Sequence, residues 1–98
     1  MVMTEFDVPS SIQALEAALA AGESLRLRNV AHSFKGPLGY LLARPALEAA
    51  RRLEAAAAAA NEGEWSTDVR GRLVALTADL RVQLERVEAN QRAVLAMT

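Results

Sequence analysis

Residues 23–43 read ESLRLRNVAHSFKGPLGYLLA, and the spacing of their apolar side chains decides the fold class. On a helical wheel at about 100° per residue, Leu27, Val30, Leu38 and Leu41 fall within roughly 40° of Phe34. Ala31 and Leu42 lie on the flank of that stripe. The spacing predicts a helix from about Glu23 to Ala43 with one buried face. His32 sits roughly 160° from the centre of the stripe, together with Leu25, Arg28, Asn29, Gly36 and Gly39, with Lys35 at the edge. The chain's one histidine is therefore predicted on the solvent side.

The same periodicity continues on either side. Ile12, Leu15 and Leu19 recur at helical spacing behind Pro9-Ser10-Ser11-Ile12-Gln13. Ser10 with Gln13 reads as a capping box, and Gly22 as the stop. Phe6 is expected across one end of the assembly. A third helix follows Arg44-Pro45, because proline suits a first helical turn. It runs through Leu47, Leu53 and the alanines 55–60 to Asn61-Glu62-Gly63. The alanine run reads as a strong helix former that lets neighbours approach closely. A fourth helix starts after Trp65, with Ser66 or Thr67 as N-cap and Asp68 in the first turn. Its apolar stripe is Val69, Leu73, Leu76, Leu80, Leu84 and Val87, with Val94 and Leu95 beyond. Arg72, Asp79, Arg81, Glu85, Arg86 and Glu88 read as its solvated face. Four helices with short connections imply an all-α, antiparallel four-helix bundle formed as one domain over residues 1–98.

Composition narrows the function. The chain has 98 residues, is 52% hydrophobic and only 4% aromatic, so it can bury a Leu/Val/Ala core but has little room for a deep ligand cavity. A net charge of −1 argues against a general nucleic-acid binder. Without cysteine there is no disulfide framework and no thiolate zinc site, and a single histidine excludes a multi-histidine metal centre. No apolar run has the length of a membrane span, and residues 1–7 lack the pattern of a signal peptide. The expectation is a cytoplasmic protein, or a domain of one, with no cofactor, no bound metal and no membrane contact.

The histidine face suits one chemistry. A neutral imidazole is a competent nucleophile near neutral pH. Lys35, one turn away, places an ammonium where it can offset a phosphoryl group's charge. Arg28, a turn away on the other side, either assists or is a plain surface charge. Gly36 and Gly39 are poor helix residues, each costing about 1 kcal/mol against alanine. Two of them beside one histidine keep that surface low enough for a partner to come close. The sequence shows no glycine-rich phosphate loop and no acidic cluster for magnesium, so the phosphoryl group must come from another protein and leave to another.

Ala31-His32-Ser33-Phe34-Lys35-Gly36, with Gly39 and Ala43 following and Leu53-Glu54 on the next helix, resembles the histidine-containing phosphotransfer (HPt) domain family. The resemblance implies a four-helix bundle acting in a two-component phosphorelay. His32 would be the phosphorylated residue, through Nε2, with Lys35 stabilising the phosphoryl group and Gly36 giving steric access. Glu54 matches a position that, in domains of the chemotaxis-kinase type, hydrogen-bonds the histidine Nδ1. Otherwise it is an ordinary helix charge. Implied partners are a response-regulator receiver domain and a histidine kinase. Leu25, Arg28, Asn29 and Gly39 are the candidate partner contacts; for Leu25 an unremarkable exposed leucine is the other reading. Tyr40 lies off the core centre and equally suits a helix junction. Two residues depart from the family pattern. Pro37 follows the Lys-Gly pair and is expected to kink the helix just beyond His32. Leu42 stands where the family often has glycine. Two alternatives remain: the phosphoacceptor domain of a chemotaxis-type kinase, and a non-catalytic helical interaction or dimerisation module. The alanine-rich third helix and the long fourth helix each suit a homodimer.

Overall fold

The structure is a computed structural model and describes residues 8–60 and 64–97. The described residues form helices and their links, with no strand among them: α1 (Val8–Ala21), α2 (Ser24–Ser33), α3 (Lys35–Tyr40), α4 (Arg44–Ala59) and α5 (Thr67–Met97). Helix α1 packs on α2, α2 on α4, α4 on α5, and α5 back on α1, while α3 extends α2 along α4. This closed ring is the four-helix bundle that the sequence predicts, with its second helix broken in two. Helix α5 sets the length of the molecule. Its 31 residues span about 46 Å at 1.5 Å per residue, against a longest extent of 48 Å.

The core is built of leucine and alanine. Leu15, Leu27, Leu38, Leu53, Leu73, Leu80 and Leu84 are all essentially inaccessible. On α4 the buried residues are Ala46, Ala49, Ala50, Leu53 and Ala57, spaced by three or four. Alanine methyls there let the backbone of α4 approach both neighbours. The small core residues of α4 thus bring Glu54 close to α2.

The helix boundaries follow local chemistry, with three corrections to the sequence reading. Helix α1 already includes Val8, which is buried, so Ser10 lies inside the helix and is not its N-cap. Anchoring of Val8 in the core outweighs the capping preference of a serine. Gly22 does end the helix, at φ 70°. The Glu23 amide there donates to the Ala18 carbonyl at 3.1 Å and the Gly22 amide to Leu19 at 3.2 Å, closing a Schellman turn. Phe6 lies outside the described residues, as does the Asn61–Gly63 stop expected for α4, whose last helical residue is Ala59.

The second correction concerns the span of the second helix, whose kink beyond His32, expected from Pro37, is a full break between α2 and α3. Pro37 has no N–H to give the Ser33 carbonyl, and its ring crowds that carbonyl. The Phe34 amide accordingly reaches Ala31 at 3.2 Å instead of Val30. The Ser33 hydroxyl takes over the Val30 carbonyl, donating to it at 2.6 Å. Phe34 keeps φ −78° and ψ −18°, so the chain bends without leaving helical space. Helix α3 then ends at Tyr40, earlier than Ala43. Leu41 is the third correction: predicted in the core, it is 38% exposed, because the stripe cannot continue once the helix has stopped. The stop is again a Schellman turn, in which Leu42 donates to Gly39 at 3.1 Å and Ala43 to Leu38 at 3.0 Å. Here the left-handed residue is Leu42, at φ 57°. A side chain in that region costs roughly 1–2 kcal/mol that glycine would not.

Helix α5 matches its expected start. The Ser66 hydroxyl accepts from the Val69 amide at 3.2 Å, which makes Ser66 the N-cap, and Asp68 lies in the first turn. Leu73, Leu80, Leu84 and Val87 are buried, and Val94 is exposed. The charges expected on the solvent side of α5 are exposed there, except Glu88, which is half-buried.

Candidate functional site

The site lies where α2 crosses α4, and three side chains compose it. His32, near the end of α2, is 62% exposed, opposite the buried Leu27, Ala31 and Phe34. Glu54 comes up from α4, next to buried Leu53, and is mostly shielded at 18% exposure. Lys35 is the first residue of α3, one turn beyond the histidine. The two carboxylate oxygens are divided between two side chains: Oε2 is 2.7 Å from His32 Nδ1, and Oε1 is 3.0 Å from Lys35 Nζ.

This division settles the electrostatics. The hydrogen bond from Lys35 holds the Glu54 carboxyl below its ordinary value; burial opposes it, and the His32 bond and the Lys35 charge add to the lowering. An ionised carboxylate only accepts, so Nδ1 must be the donor in the 2.7 Å contact. In the neutral imidazole the proton therefore sits on Nδ1, and the lone pair is on Nε2. Nε2 belongs to a ring that is largely open to solvent. A shielded carboxylate thus orients an exposed imidazole.

Sequence reasoning named all three residues, but not their arrangement. Lys35 is clasped to Glu54, on the Nδ1 side of the ring, in addition to lying one turn from the histidine. That contact spans α3 and α4, so no local spacing signals it. The sequence also left Glu54 open between a histidine partner and a plain helix charge; in the structure it hydrogen-bonds Nδ1.

The remaining candidates surround this cluster. Leu25 is 56% exposed and Asn29 is exposed, both on the histidine side of α2. Arg28 is half-buried and does not join the Glu54 cluster. Gly36 is exposed and Gly39 half-buried, and a Cβ built on either meets nothing within 4 Å. The fold itself does not need these glycines, since neither has a crowded neighbour.

Two features escaped the sequence reading. The Trp65 indole donates to the Ser24 hydroxyl at 2.6 Å, with Arg70 stacked 5.1 Å from the ring centre, so the start of α5 is tied to the start of α2. Tyr40 and Leu42, given no site role by the wheel, are 89% and 82% exposed at the end of α3. A shallow groove of about 390 Å³ between α4 and α5, floored by Ala56, Ala59 and Leu73, shares no residue with the histidine cluster. Among the described residues no group of three or more His, Asp or Glu side chains is placed to hold a metal ion. No helix among them is long and apolar enough to cross a membrane.

The family model of the Hpt domain matches residues 3–90. The chain belongs to the Hpt domain family. Comparison with curated proteins and with solved structures gives no match. Hpt domains carry out histidine phosphotransfer in phosphorelays, working with receiver domains and kinases, and the all-α bundle is that of the family.

Proposed function

We propose that the chain acts as a single Hpt domain in a two-component phosphorelay. His32 accepts a phosphoryl group from a receiver aspartate and passes it to the aspartate of another receiver. The observation that carries this reading is the 2.7 Å contact of Glu54 with Nδ1, which leaves the lone pair on Nε2 of a largely exposed ring. In the forward step Nε2 attacks phosphorus, and an N–P bond forms. The bond from phosphorus to the donor aspartate oxygen breaks, and its electron pair leaves with the carboxylate. The ring gains positive charge while the proton stays on Nδ1, where Glu54 stabilises it. Lys35 holds the opposite oxygen of the same carboxylate and lies one turn from His32. It is the residue placed to neutralise the phosphoryl group's charge. Gly36 and Gly39 admit the partner's surface, with Leu25, Arg28 and Asn29 at its margin.

A second reading shares this geometry. A Glu54-oriented histidine also suits the phosphoacceptor domain of a chemotaxis-type kinase, charged by a kinase core from ATP. The donor separates the two. The protein is incubated with a panel of aspartyl-phosphorylated receivers, and separately with kinase cores and ATP, and label on His32 is followed. Label from receivers supports the phosphorelay reading, and label only from kinase and ATP supports the second. Label from neither, or label that survives His32→Gln, refutes both in favour of a helical interaction module. Both readings place the protein in the cytoplasm.

A further inference from the structure

The end of α3 carries a feature that the phosphoryl chemistry does not use. Tyr40, Leu41 and Leu42 are three consecutive large apolar residues, 89%, 38% and 82% exposed. Exposed apolar runs of this kind are unfavourable unless something covers them. Leu42 adds a second penalty, because it occupies the left-handed region at φ 57°. The other helix stop of the same geometry uses glycine, at Gly22 with φ 70°. Glycine at position 42 would relieve the backbone and remove an exposed leucine, and the fold would lose no internal contact of consequence. Leucine here serves something outside the fold.

The position says what that is. His32, Gly36 and Tyr40 follow one another at four-residue steps, and all three are exposed. An exposed glycine therefore stands between the histidine and the tyrosine along this edge of α2 and α3. Eight residues at 1.5 Å each put the Tyr40 backbone no more than about 12 Å from that of His32, the bend at Phe34 included. A protein–protein patch of about 800 Å² per partner, centred on His32, extends roughly 16 Å in every direction. A receiver that brings its aspartate to Nε2 thus reaches Tyr40 and the adjoining turn.

We propose that Tyr40 and Leu42 form an apolar docking lobe for the receiver domain, with Leu42 a specificity-determining residue of the transfer reaction. This rests on the phosphorelay reading above. The lobe meets an apolar recess beside the receiver's phosphoryl aspartate. A receiver with a charged or filled surface at that place is disfavoured, because it would bury a polar group against leucine or clash with it. Neither residue touches the reacting atoms, so both act on binding.

The test compares wild type, Leu42→Gly and Tyr40→Ser in phosphoryl transfer from the aspartyl-phosphorylated receiver that labels wild type fastest. Chemical phosphorylation of His32 by phosphoramidate and thermal unfolding are measured in parallel. The expected result for Leu42→Gly is a KM for the receiver raised about ten-fold, the loss typical of an apolar anchor. Its kcat and phosphoramidate labelling stay within about two-fold, and its Tm rises by about 4 °C. Tyr40→Ser shows the same KM effect without the gain in Tm. If both variants keep the wild-type KM, the lobe is not a docking element and the proposal fails. It also fails if Leu42→Gly converts a dimer to a monomer with KM unchanged, since the lobe then serves self-association. If no receiver labels wild type while phosphoramidate does, the phosphorelay reading itself fails, and this inference with it.

Discussion

Helix α5 and the α2–α3 pair make opposite use of local sequence. Helix α5 runs without interruption from Thr67 to Met97, is capped by Ser66, and presents a leucine stripe to the core. The α2–α3 pair is half that length, broken at Phe34, thinned by Gly36 and Gly39, bent by Pro37 and closed by a left-handed Leu42. Most local choices in α5 agree with the bundle, Gly71 and the buried Thr77 apart, whereas in α2–α3 the departures cluster within ten residues of His32. Local consistency is given up where a partner must approach, and the rest of the bundle compensates.

The largest effect should come from the compensating side. Leu53→Ala removes a fully buried side chain directly before Glu54. It is expected to destabilise the protein by about 2–5 kcal/mol in chemical unfolding. A loss below 1 kcal/mol would mean that α4 is not the platform for the site. Next in size, Glu54→Gln should slow phosphoryl transfer about 10- to 100-fold while far-UV circular dichroism stays unchanged. An amide can accept from Nδ1 but carries no charge to stabilise the phosphorylated ring. An unaltered rate would reduce Glu54 to a surface charge.

Smaller effects sharpen the contrast between the two regions. Gly36→Ala and Gly39→Ala are each expected to stabilise the fold by about 0.5–1 kcal/mol, because alanine is the better helix former and its methyl meets nothing. Gly36→Ala should also slow transfer from a receiver, while phosphoramidate labelling persists. If the alanine variants destabilise, the glycines serve the fold after all. In α5 an inconsistent residue is Thr77, whose buried hydroxyl has no partner. Thr77→Val should be neutral or stabilising by about 1 kcal/mol, with transfer untouched.

The pH dependence of stability follows from the lowered Glu54 pKa. A carboxyl depressed by folding contributes stability that is fully present above its ordinary, unfolded value. That contribution is lost as pH falls through the lower folded value. The Tm gap between wild type and Glu54→Gln should therefore hold at neutral pH and close on acidification below that range. A gap independent of pH would contradict the clasp with Lys35 and His32.

Most of the bundle was legible in the sequence because its signals are local. The leucine periodicity of α5, the Ser66 cap and the Gly22 stop each depend on residues within a turn or two. The same holds for the exposure of His32, which follows from its angle to Leu27 and Phe34. Ser10 misled because a serine's capping preference is worth less than the burial of Val8 two residues earlier. Leu41 misled because a wheel cannot know where its helix ends. The clasp of Lys35 on Glu54 was not legible at all: it depends on how closely α4 approaches α2, which the alanines set through tertiary packing.

The central claim is that His32 carries the phosphoryl group on Nε2, with Nδ1 protonated against Glu54. Nitrogen–phosphorus correlated NMR of the phosphorylated, ¹⁵N-labelled protein tests it directly. The account predicts coupling of phosphorus to Nε2 alone and a proton on Nδ1. Phosphorus coupled to Nδ1, or a phosphoryl group on any other residue, would contradict it.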